Sequence, residues 1–414
     1  MRLLVLFFLV MSVLSVNTFG QRNCGSLEYQ KKFAQHETYS TSKSPITDNI
    51  AARDTLSDET INIPVVIHVL YNLNEQNISD AQILSQINIL NEDYNRLNAD
   101  ATNTPSAFQK YAGKCNIHFC VAKVDPQGRQ TKGIVRKYTS KVCFSMNDNM
   151  KFANAGGDDA WDSKRYLNIW VCNLQSNVLG YSSLPNDRAE LDGVVIQYNA
   201  FGNTGSLRPQ FNKGRTATHE IGHWMGLLHI WGDNTCGNDY VDDTPPQTYY
   251  NGNCPSFPHK SQCSINNNGD MFMNFMDYTN DECMNIFTNG QKNKMRKLFA
   301  LNGPRNSFLL SNVCDSSNAN NIAGPSSNEA ANKPVQSVTI FPNPSSSTIN
   351  MIPVNGYDLN NNTVHILDAT GKVLINQKIF SSNRSINISS LKSGLYFLKI
   401  GSGSDQKMIK LIKN

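Results

Sequence analysis

The chain has 414 residues, 10 cysteines and a formal net charge of +4, from 37 Lys plus Arg against 33 Asp plus Glu. That length excludes a peptide or mini-protein and predicts two or three domains of about 100–200 residues each. So mild a balance, with no Lys/Arg-rich run, argues for no nucleic acid among its partners. Only 17% of residues are charged and 53 are asparagine, a neutral hydrophilic surface that suits an exported protein.

Residues 1–20 read as a signal peptide. Met1–Arg2 gives a positive start, Leu3–Val16 (LLVLFFLVMSVLSV) an apolar core, and Asn17–Gly20 a small or polar end. The apolar core is shorter than the ~20 residues of a membrane span. No other run approaches that length, so no transmembrane segment is expected in the mature protein. Export meets oxidising conditions, in which most of the cysteines can pair. Residues 21–53 are polar and uneven and read as a pro-segment, with a short helix around Leu27–Gln35.

A domain over 54–314 begins sharply at Ile61, where INIPVVIHVLY alternates as a strand does. Asp80–Leu97 sets Ile83, Ile87, Leu90 and Tyr94 at helical spacing. Asn116–Val124, Leu167–Leu174 and Gly193–Tyr198 read as strands and Arg215–Leu228 as a helix. Residues 232–275 are irregular and rich in Gly, Asn, Pro and Cys. A last helix, Thr288–Phe299, precedes a turn at Asn302–Gly303–Pro304. This pattern is α/β or α+β. Residues 315–335 are a small, polar linker. Residues 336–414 hold short strands (VTIFPN, TVHILDA, KVLINQKIF, RSINIS, GLYFLKI, QKMIKLIK) at the spacing of a small β-sandwich.

The chemistry concentrates in His219–His229, HEIGHWMGLLH. His219 and His223, four apart on a helix, share one face and can grip one cation. Glu220 stands beside them, placed to take a proton from the attacking water. Gly226 can leave helical backbone space, so that His229 swings back as a third nitrogen ligand. Three imidazoles and an open position describe catalytic rather than structural zinc, and zinc brings the pKa of its water to ~7. In this composition the five fixed letters arise by chance about 4 times per million chains, too rarely for an accident. Asn274–Tyr278 (NFMDY) adds Met276, 47 residues after His229, as an apolar floor. Tyr278 would reach the developing oxyanion.

HEIGHWMGLLH, CGNDYVDDTP and NFMDYTNDECM together resemble the pappalysin family of metzincins, especially its short secreted bacterial members. The resemblance covers about residues 61–314. It implies a zinc endopeptidase with His219, His223 and His229 on zinc, Glu220 as general base and Tyr278 assisting. The implied fold is α+β: a metzincin domain with a twisted mixed sheet and helices above an irregular, disulfide-bonded lower subdomain. An edge strand, expected within Asp192–Ala200, would align substrate antiparallel. The implied disulfides are Cys236–Cys263 and Cys254–Cys283, whereas spacing alone allows three pairings. Asp239, Asp242 and Thr244 sit where relatives bind structural calcium, a use that suits clustered oxygen ligands. Asp281 and Glu282 lie near the pocket for the residue after the scissile bond, where an acid favours Arg or Lys.

Short pappalysins keep latency through a pro-segment cysteine in an RxCG-like setting, and Cys24 stands here in RNCG. A thiolate is a strong zinc ligand, so Cys24 would fill the open position until the segment is cut, with Arg53 a candidate activation site. Pairs among Cys115, Cys120, Cys143, Cys172 and Cys314 stay open. IFPNP (340–344), LDATGKVL (367–374), LKSGLYFLKI (391–400) and a basic last strand resemble the C-terminal sorting domain of the type IX secretion system. The partners implied are protein or peptide substrates and that export machinery, and the location is secreted or outer-surface. The rival reading is a surface adhesive protein with a structural or inactive metal site. Glu220, and the lack of a fourth close protein ligand replacing water, argue against it.

Overall fold

Strand β1 (Ile61–Tyr71) is the hub of a six-stranded sheet. The structure, a computed structural model, describes residues 22–29, 31, 59–265, 267–315, 337–354, 362–368, 371–379, 384–400 and 407–414. The expected signal peptide, Arg53 and the linker from residue 316 onward lie outside the described residues, as does the expected helix beyond Lys31. Residues 1–321 and 322–414 form separate units.

β1 pairs in parallel with β2 (Ile117–Val121) and β3 (Ile134–Tyr138) along one side and with β4 (Leu167–Cys172) along the other. Its residues are buried almost throughout, as expected of a parallel strand covered on both faces. Ile63, Val65, Ile67 and Val69 point to one core, while Leu70 joins another on the opposite face with Trp170 and Val195. Helix α1 (Asp80–Tyr94) covers the first face with Ile83, Ile87, Leu90 and Tyr94. The Ser79 hydroxyl caps it by accepting from the Gln82 N–H at 3.1 Å. It stops before the expected Leu97, because Arg96 takes a left-handed φ of 52°.

Past β4, the order runs to β6 (Val194–Gln197) and then β5 (Gly180–Ser182), which is antiparallel to β6. The edge strand is therefore β5, and the expectation of an edge within Asp192–Ala200 is corrected. β6 lies inside the sheet, paired on both sides. At three residues, β5 is too short for alternation to reveal it, and half-exposed β3 also escapes the pattern.

Helix α2 (Arg215–Trp224) packs on the first face, and all ten of its residues are buried. It ends four residues before the expected Leu228, since Gly226 turns the chain at φ +80°. Helix α3 (Asn289–Lys297) is capped by Thr288. Between them the chain is irregular around a small core of Ile230, Trp231, Met271, Phe272 and Met273. Cys236–Cys263 and Cys254–Cys283 cross-link this region, each at a typical ~2–4 kcal/mol. A third bridge, Cys120–Cys314, ties β2 to the end of the unit.

In the C-terminal unit, strands β7 (Ser337–Phe341), β8 (Thr348–Val354) and β11 (Ser385–Asn387) form one antiparallel sheet. β9 (Asn362–Leu367), β10 (Val373–Ile379), β12 (Gly394–Ile400) and β13 (Lys407–Lys413) form the other. Ile349, Ile366, Leu398 and Leu411 share one core between them, a β-sandwich.

Candidate metal centre and the segment that covers it

Helical spacing brings His219 and His223 together, with 3.1 Å between their Nε2 atoms. The Gly226 N–H donates to the His223 carbonyl and the Leu227 N–H to that of Gly222, closing the helix end in a left-handed turn. The returning chain sets His229 Nε2 3.0 Å from His223 Nε2.

Each outer nitrogen has a fixed partner. Nδ1 of His219 lies 2.7 Å from the Phe275 carbonyl, and Nδ1 of His223 lies 2.8 Å from the Leu227 carbonyl. Nδ1 of His229 lies 2.5 Å from Asp233 Oδ1. With Nδ1 donating, every Nε2 presents its lone pair inward. Burial, then the neighbouring imidazoles, hold His219 well below the usual histidine range and take His223 down to about 3. Neutral imidazole is the ligand form. Tetrahedral zinc with Zn–N near 2.0–2.1 Å needs nitrogens about 3.3 Å apart, so the donor set fits that ion.

Cys24 Sγ completes the group: the three ring nitrogens and the sulfur all lie within 4.8 Å of one another. Burial and then the charge of Glu220 push the thiol pKa up, and a bound cation pulls it the other way. Glu220 is buried, with Oε2 3.5 Å from Cys24 Sγ. It accepts a 2.8 Å hydrogen bond from the Ser26 hydroxyl, and burial lifts its carboxyl to about 7. Met276 lies under α2, so close that a Cβ on Gly222 would come 2.5 Å from its sulfur. The Tyr278 hydroxyl donates to the Cys24 carbonyl at 3.3 Å, and burial pushes its pKa well up.

The segment carrying Cys24 runs parallel to β5. The Gly25 N–H donates to the Gly180 carbonyl at 2.8 Å, and the Leu179 N–H to that of Asn23 at 2.9 Å. Two residues before the cysteine, Arg22 is buried, with Nη2 2.5 Å from Asp281 Oδ1. Its guanidinium also donates to the Thr279 carbonyl and the Thr216 hydroxyl and lies over the Phe211 ring. Asp281 is fully buried, whereas Glu282 is exposed beside the Cys254–Cys283 bridge.

The other expected residues are placed as follows. Asp239 is buried and accepts from the Thr244 hydroxyl at 2.9 and 3.0 Å, and burial lifts its carboxyl to about 7. Asp242 is exposed. Cys115 and Cys172 are buried and unbridged, and Cys143 is half-buried. Sequence reasoning missed Ser26 and Asp233, and quoted Arg22 only as part of RNCG without a role. Arg22 has that motif as its local signal, and Asp233 stands four residues after His229.

The family model described as pregnancy-associated plasma protein-A, a peptidase family, matches residues 152–300, and that of a secretion system C-terminal sorting domain matches residues 339–414. Mature mirolysin of Tannerella forsythia, in complex with a cleaved peptide, is 54% identical with a TM-score of 0.60, covering 61% of this chain and 96% of that one. A promirolysin variant of the same organism is 49% identical with a TM-score of 0.65, covering 70% and 97%. An extracellular metalloprotease of Arthroderma benhamiae is 28% identical over 312 residues, 72% of this chain and 90% of that protein.

Proposed function

Because the chain belongs to the pappalysin family of metalloproteases, we propose that it is a secreted zinc endopeptidase made as a latent precursor, favouring Arg or Lys just after the scissile bond. Its C-terminal unit is a secretion sorting domain, of the kind used for type IX export. The observation that carries this reading is the convergence of three imidazoles on one point, under a thiol from a separate N-terminal segment. We read residues 1–20 as signal peptide, 21–53 as pro-segment, 54–314 as protease, 315–335 as linker and 336–414 as sorting domain.

In this account His219, His223 and His229 would hold the metal, and Cys24 would join them in the precursor. Zinc held there supplies Lewis acidity toward the peptide carbonyl and an acidified water. Removal of the segment frees Glu220 from the Ser26 hydroxyl, and its carboxylate then takes a proton from the attacking water and passes it to the leaving amine. The Tyr278 hydroxyl, now donating to a carbonyl of the segment, donates instead to the oxygen that gains charge in the transition state. Arg22 against Asp281 stands in for a substrate Arg or Lys, which makes Asp281, rather than Glu282, the selecting acid.

Replacing Glu220 by Ala tests the reading. Loss of casein cleavage with about one zinc per chain retained supports it; undiminished cleavage, or a wild-type chain that binds no zinc, contradicts it.

A further inference from the structure

A second buried ionic group lies in the same unit and takes no part in the chemistry. Lys151 is fully buried on the face of the sheet opposite α2, packed near Trp170 and Tyr181. Its Nζ lies 2.9 Å from Asp148 Oδ1 and 2.8 Å from the Leu191 carbonyl. Asp148 Oδ1 also accepts from the Tyr181 hydroxyl at 3.1 Å. Oδ2 accepts from the hydroxyl of Tyr29, at 2.7 Å.

Tyr29 belongs to the segment that covers the metal centre. After Gly25 the chain leaves the edge strand, turns through helical residues 26–29, and buries the Tyr29 ring to 1% exposure in this core. The ring centroid is 4.8 Å from that of Tyr181, and Lys151 Nζ is 5.2 Å from it. Burial and the charge of Asp148 push the phenol pKa up, so it remains a donor.

We propose that Asp148, Lys151 and Tyr181 form a tyrosine-binding pocket that anchors the pro-segment independently of the metal. The pocket reads three features of its ligand. Tyr181 offers an aromatic wall, Lys151 sets a cation against the ring, and Asp148 accepts one phenolic O–H. Phenylalanine satisfies the first two and leaves a buried carboxylate oxygen short of a donor. An aliphatic side chain offers neither a π face nor a donor. Lys151 and Asp148 keep each other when Tyr29 departs, so the pocket does not depend on the segment for its charge balance. Latency then rests on Cys24 at the metal and on Tyr29 behind the edge strand.

This inference rests on reading residues 21–53 as a pro-segment, and its test needs no catalysis. Hydrogen exchange of residues 22–31 is followed in full-length Glu220→Ala precursor, with and without a zinc chelator. Wild-type Tyr29 is expected to keep the segment protected after chelation. Tyr29→Phe should lower that protection about tenfold or more, and Tyr29→Ala about a hundredfold or more. Equal protection in all three chelated proteins overturns the proposal, as does a Tyr29 segment that exchanges freely once zinc is stripped. The isosteric Phe variant separates loss of the hydroxyl contact from general loosening of the core. Failure here leaves the protease reading intact, because the measurement is independent of peptide cleavage.

Discussion

The guanidinium of Arg22 and the carboxylate of Asp281 form a buried ion pair, 2.5 Å from Nη2 to Oδ1. Asp281 also accepts the backbone N–H groups of Lys213 at 2.8 Å and Arg215 at 3.2 Å. Its orientation is thus fixed by two backbone donors besides the arginine it meets, as the proposed role in specificity requires. A buried, half-broken charge pair is strongly unfavourable, so under the proposed specificity a neutral side chain at this site is expected to be disfavoured.

Asp281→Asn is expected to lower kcat/KM about 10–100-fold for peptides with Arg after the scissile bond, from losing a charged hydrogen bond of ~1.5–3 kcal/mol. Matched peptides with Leu at that position should change by less than about threefold. Equal losses on both would assign Asp281 to holding the 213–215 backbone instead of selecting substrate.

Cys24→Ala in the unprocessed precursor should raise cleavage of a short peptide above that of unprocessed wild type. It should stay below the processed enzyme, because Arg22 and Tyr29 still hold the segment. A variant as inactive as the unprocessed wild type would remove the thiol from the account of latency.

Gly226→Ala places a Cβ at φ +80°, at a cost of about 1–2 kcal/mol. The strain falls at the turn that returns His229 to the metal. Zinc affinity, measured by competition with a chromophoric chelator, is expected to fall about tenfold, with fold retained by circular dichroism. Unchanged affinity would show that the return of His229 does not depend on the left-handed turn.

The Cys120–Cys314 bridge joins positions 194 apart in sequence. Replacing both cysteines with Ala should lower unfolding stability by ~2–5 kcal/mol, read from the denaturant midpoint of the full chain. The shift should be present with and without chelator, since neither cysteine approaches the metal group.

Motif-bearing parts of the site are legible in sequence because they are local. Four-residue spacing puts His219 and His223 on one face, and Gly226 marks where the helix must stop. What surrounds them is written in long-range pairs. Arg22 meets Asp281 across 259 residues and Tyr29 meets Asp148 across 119, and neither pair has a spacing to recognise. The edge strand is hidden from the sequence for a related reason. β5 is three residues whose extended form comes from pairing with β6, while β6 has the longer apolar run that a pattern detects. Cys120–Cys314 is equally invisible, since any of five cysteines fits the arithmetic. In the C-terminal unit β8 escaped detection, as TINMIPV contains a proline that argues against a strand interior.

Cleavage-site profiling of the processed protein on a proteome-derived peptide library, with and without a zinc chelator, tests the central claim most directly. The account predicts endoproteolytic cleavage with Arg or Lys enriched just after the cut, abolished by chelator and restored by added zinc. Cleavage that survives the chelator, or none in a folded, zinc-loaded and processed chain, would contradict it.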